Sequence, residues 1–78
     1  MKKDVYSTKD LAEATLLYVK QLKLLSLERQ DNHFQFIFQD KEKAEKLSAK
    51  FWQKDVKIDA KTYSEGMRYL KDRLFAGR

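Results

Sequence analysis

Cysteine and proline are both absent from this 78-residue sequence, and glycine occurs only at Gly66 and Gly77. Without cysteine there is no disulfide framework, no thiolate for zinc and no thiol nucleophile, which suits a reducing compartment. Two glycines so near the C-terminal end leave no Gly-rich loop to cradle a phosphate. With no proline and no low-complexity stretch, nothing in the composition marks a linker or a domain boundary. The longest apolar run, Leu16 to Val19, falls far short of the ~20 residues that span a bilayer. Met1-Lys2-Lys3-Asp4 leads into polar residues and not into an apolar signal core. A cytoplasmic protein without membrane contact is the expectation.

A chain of this length fits one domain, residues 1–78. Such a domain buries only about 60% of its unfolded surface. Stability must then come from apolar packing, helix caps or association with another chain. Five Phe, four Tyr and one Trp supply large buried areas. The net charge of +5 is uneven, with +1 in residues 1–39 and +4 in residues 40–78. A basic balance favours nucleic acid or acidic proteins, although for a small domain it is also ordinary solubility chemistry.

Ser7-Thr8-Lys9-Asp10 reads as a capping box, opening a helix from about residue 8 to about residue 21. Leu11, Ala14, Tyr18 and Leu22 fall on its buried stripe. Ahead of it, Val5 and Tyr6 suit a short strand. Residues 23–29 and 33–39 read as a hairpin around Asp31-Asn32, a pair that tolerates the positive φ of tight turns. With Gln30 opposite His33, Leu27 faces Phe36, Leu25 faces Phe38 and Leu24 faces Gln39. A slip by one residue would mix the apolar and polar faces. Asp40 caps a second helix whose stripe is Ala44, Leu47 and Phe51, with Trp52 at its shoulder and expected in the core. Val56-Lys57-Ile58 alternates like a third short strand, a partner for Val5-Tyr6. Asp59 caps a last helix, about residues 60–75, with the stripe Tyr63, Met67, Leu70 and Leu74 and with Gly77 at its end. The expected fold is α+β: a small two-layer domain in the order α-β-β-α-(short β)-α, its antiparallel β-hairpin packed on helices.

The opening Val5-Tyr6-Ser7-Thr8-Lys9-Asp10-Leu11, the Phe36-Ile37-Phe38-Gln39-Asp40 strand end, the segment from Val56 to Tyr63 and the Leu70 to Leu74 helix together carry a resemblance. The chain resembles a family of short, uncharacterised domains found in bacterial and phage genomes. That resemblance covers nearly the whole chain, implies a phage or mobile-element accessory setting, and transfers no functional residue.

Catalysis needs a nucleophile beside a base, paired carboxylates or a metal. His33, the one imidazole, sits beside the predicted turn, where a solvated polar residue is ordinary. The acids Asp31, Asp40, Asp55 and Asp59 match no calcium loop, and one histidine makes no tetrahedral metal set. Neither a catalytic residue nor a metal or cofactor is expected, and no small-molecule substrate is evident. Ser7 and Thr8 read as a cap in preference to an anion site.

Two surfaces remain. Lys50, Lys54, Lys57 and Lys61 make a basic run in which Lys50 and Lys54 share a helix face, a candidate for nucleic acid. Thr62, Gly66, Tyr69 and Arg73 make a second stripe on the last helix, a candidate for a protein partner or a homodimer. Gly66 inside a helix costs about 1 kcal/mol against alanine, so another backbone is expected close by, either a partner's or that of the first helix. Arg68, Lys71, Arg73 and Arg78 add charge that also complements the helix dipole. The leading expectation is a non-catalytic interaction protein, with a nucleic-acid-binding module as the alternative.

Overall fold

A computed structural model describes residues 4–30 and 33–76. The order is β1 (Val5–Thr8), α1 (Leu11–Val19), β2 (Leu24–Gln30), β3 (His33–Gln39), α2 (Lys41–Trp52) and α3 (Ala60–Ala76). The architecture is α+β, with three helices and one antiparallel sheet of strand order β1-β3-β2. The expected order is corrected at both ends. Val5–Thr8 is a true strand that pairs with β3, with Tyr6 opposite Phe38 and Thr8 opposite Phe36. Val56–Ile58 is not a strand and does not pair with Val5–Tyr6, which pairs with β3 instead.

The hairpin keeps the expected register from Gln30↔His33 to Ser26↔Ile37, including Leu27↔Phe36. It then shifts by one: Leu24, not Leu25, faces Phe38, and the Lys23 carbonyl accepts from the Gln39 N–H at 2.9 Å. Leu25 is the extra residue of a bulge and is 41% exposed. The shift brings Leu24 into the core, where it packs beside Leu27 and Phe38. Asp31, Asn32, Gly77 and Arg78 lie outside the described residues.

Phe36 and Phe38 are fully buried on the sheet face that also carries Tyr6, Thr8 and Leu27. Each contributes roughly 1.5–3 kcal/mol by leaving water. Ala14, Leu17, Leu22, Ala44 and Leu70 complete this core. The opposite face carries Ser7, Ser26, Glu28, His33, Gln35 and Ile37.

The first helix begins three residues later than its apparent capping box. Ser7 and Thr8 stay in the strand, and Asp10 is the N-cap, accepting from the Glu13 N–H at 3.0 Å. Residues 13–17 of α1 are all buried, because the helix lies among β1, α2 and α3. Asp40 caps α2 and Asp59 caps α3, each through its carboxylate on the third residue along.

Both α1 and α2 end in the same way. Gln21 (φ 74°) and Lys54 (φ 60°) adopt the left-handed conformation. The Leu22 N–H reaches the Leu17 carbonyl and the Gln21 N–H reaches that of Tyr18. After α2, Asp55 and Lys54 repeat the pattern on Lys50 and Phe51. These are Schellman closures made without the glycine that would adopt the turn unstrained.

Gly66 marks the crossing of α3 on α1. A Cβ built there would lie 2.5 Å from Val19 Cγ1, so any side chain forces Val19 or the helix packing to give way. No helix among the described residues is long and apolar enough to cross a membrane.

Candidate functional site

Two regions stand out where α1 and α2 meet their neighbours. The first is polar and closed. Glu13 is 5% exposed, and its carboxylate accepts from Thr8 Oγ1 at 2.6 Å, from the Tyr6 hydroxyl at 2.8 Å and from Ser48 Oγ. Thr8 Oγ1 also accepts the Asp10 N–H at 3.1 Å. One acid thus ties β1, α1 and α2 together with no cation in the set. Burial pushes the Tyr6 phenol up from its ordinary 10.0, and the Glu13 carboxylate adds to the rise. Among the described residues, no buried side-chain polar atom lacks a partner. With its polar atoms paired to one another, the junction has the chemistry of a structural lock.

The second region is apolar and open. Leu16 of α1, Phe51 of α2, Val56 and Ile58 of the connection and Tyr63 of α3 line a cleft of about 330 Å³, with Lys54 at its lip. The connection after α2 makes the cleft. Lys54 turns the chain left-handed, and residues 55–59 run without regular structure, laying Val56 and Ile58 along the rim. The Lys20 ammonium holds this segment to α1 by donating to the Lys57 carbonyl at 3.4 Å. Tyr63 donates to the Ala12 carbonyl at 3.0 Å, so its polar tip is satisfied and only its ring faces the cleft. Burial, with Asp10 adding a smaller effect, raises the Tyr63 phenol above its ordinary value.

Trp52 corrects the expectation of a core residue. It is 61% exposed and packs edge-on against Phe51, ring centroids 5.0 Å apart, extending the apolar wall beyond the cleft. It lies one residue past the buried stripe at the last position of α2, where nothing packs over it.

Lys50, Lys54, Lys57 and Lys61 are all exposed in this quarter of the molecule, and only Lys54 borders the cleft. Thr62, Gly66, Tyr69 and Arg73 are engaged within the chain. Thr62 donates to Asp59, and Gly66 lies beneath Val19. Tyr69 stacks on Tyr18 at 4.9 Å and 9°, and Arg73 donates to the Tyr69 hydroxyl at 3.1 Å. The Thr62 hydrogen bonds hold the Asp59 carboxylate below its usual range.

His33 is exposed beside a hollow of about 40 Å³ with Lys9, Glu28, Phe34 and Gln35, room for about one water. Among the described residues, no three His, Cys, Asp or Glu gather to hold a metal ion. Sequence reasoning missed the cleft residues Leu16, Val56, Ile58 and Tyr63. The visible signal was Val56 and Ile58 standing apolar in a segment too short to be covered. It also missed Glu13, an acid isolated among Leu11, Ala12, Ala14, Leu16 and Leu17. Comparison with protein-family models, with curated proteins and with solved structures finds no match, so function is argued from the residues themselves.

Proposed function

We propose that this chain is a non-catalytic interaction protein that binds a protein partner, or a second copy of itself, at the cleft beside Trp52. The observation that carries this reading is the open apolar wall of Phe51, Val56, Ile58 and Trp52. A concave apolar surface beside an exposed indole is the kind of place where large aromatics anchor interfaces.

A photo-crosslinking amino acid at Trp52, with a control at the exposed Glu42, tests the reading. A discrete protein adduct, self or foreign, formed from position 52 and not from 42 supports it. Equal labelling from both positions, or none from 52, removes it.

A second reading is favoured by the same exposed tryptophan among lysines: single-stranded nucleic acid stacking on Trp52, with Lys50, Lys54, Lys57 and Lys61 on phosphates. It expects binding that weakens steeply between about 50 and about 200 mM salt. The joint Lys50→Ala and Lys54→Ala change would then flatten that slope. Size-exclusion chromatography with light scattering, run with a mixed oligonucleotide pool, separates the two readings.

A further inference from the structure

We propose that the cleft docks a short acidic protein segment by taking one large apolar side chain, with the segment's carboxylates meeting Lys54 and the neighbouring lysines. This rests on the protein-interaction reading and names its partner's chemistry.

The cavity, about 330 Å³, lies at the small end of the roughly 300–1,000 Å³ of ligand pockets. It suits a side chain presented by a peptide better than a folded surface. Its lining is Leu16, Phe51, Val56, Ile58 and the ring of Tyr63, whose hydroxyl is already bonded to Ala12. A nucleobase inserted there would leave its polar edges without partners, which costs free energy in an apolar site. An aliphatic or aromatic side chain loses nothing.

Charge then selects the flanks. Among the described residues, Glu42–Lys46 is the only ion pair, so Lys50, Lys54, Lys57 and Lys61 carry charge not neutralised by a salt bridge. Against these four lysines the segment sets two acids, Asp55 and Asp59, so its balance stays positive. Among the described residues, Lys54 is the one cation lining the cleft.

Trp52 is the single tryptophan and is itself the reporter. Two pools of blocked octapeptides, with Leu, Ile or Phe at the centre, are titrated while its fluorescence is read. One pool has Glu and Asp flanks, the other Lys and Arg, and an oligo-dT strand is the third ligand. The acidic pool is expected to blue-shift Trp52 and shield it from acrylamide, saturably and at least about tenfold more tightly than the basic pool, a difference of about 1.4 kcal/mol. Its affinity should fall several-fold as salt rises. Ile58→Glu should abolish the response, and Lys54→Gly should weaken it several-fold in a chain that stays folded. Equal response to both pools, or none to the acidic pool, overturns the proposal. Tighter, competing binding of oligo-dT overturns it in favour of nucleic acid. A protein adduct from position 52 alongside a silent acidic pool would retain the interaction reading and remove the acidic segment alone.

Discussion

Glu13 and Leu16 are three residues apart on α1, and Ser48 and Phe51 are three residues apart on α2. The first residue of each pair lies in the polar junction and the second borders the apolar cleft. The junction buries polar groups and satisfies every one, while the cleft leaves apolar groups facing water. The same two helices thus invert the usual placement twice, in opposite senses. The junction shows how a thin core gains definition: Glu13 fixes β1, α1 and α2 in one arrangement because only that arrangement pairs three hydroxyls. The cleft shows where packing stops, because the segment of residues 55–59 is too irregular to close over Phe51.

The largest effect should come from breaking the junction. Glu13→Ala strands three hydroxyls and should cost about 3 kcal/mol in urea unfolding. Changing Glu13→Leu, Tyr6→Phe and Ser48→Ala together should recover part of that loss, since two of the three hydroxyls leave with the acid and Thr8 Oγ1 keeps the Asp10 N–H. Full loss in the triple variant would mean that packing, not pairing, holds the site.

Alkaline pH probes both regions, through Tyr6 and Tyr63. Both folded phenols are raised above 10.0, so their contribution is fully present below that pH and is lost as pH rises through the folded values. Urea midpoints followed by circular dichroism should therefore fall above pH ~10. Tyr6→Phe should make that fall shallower.

Lys54→Gly should act in the opposite direction at the cleft, stabilising the fold by about 1 kcal/mol through relief of the left-handed turn. If the same change leaves acidic-peptide binding intact, Lys54 is only a helix stop. The smallest effect is expected for Trp52→Ala, within about 0.5 kcal/mol of the parent in stability, with partner binding lost. A large drop in its melting temperature would show that the indole supports the core after all.

Elements that are local in sequence were readable, and those decided by a third element were not. The Leu27↔Phe36 register follows from alternation about the turn, and the Asp40 and Asp59 caps follow from the acceptor chemistry of Asp at a helix start. Leu24 and Leu25 are equally apolar, so only the core beneath them decides which faces Phe38. Both Ser7 and Asp10 make sound helix caps; pairing of Thr8 with Phe36 across the sheet selects Asp10. Trp52 beside Phe51 resembles a core pair, and its exposure follows from where α2 stops. The cleft draws one wall from each of α1, α2, the connection and α3, a juxtaposition that no periodicity encodes. The basic run was legible, but its one apolar-lined neighbour, Lys54, was not distinguishable from the other lysines.

The bulge at Leu25 has a bearing on the crowded cell. β2 is an outer strand of the sheet, and a straight outer strand is a template on which like chains polymerise. An inserted residue breaks the regular spacing of free N–H and C=O groups and coils the strand away from flatness. An incoming strand would find its ladder out of step at Leu25. The irregularity that moves Leu24 into the core therefore also makes the β2 edge a poor template for an added strand.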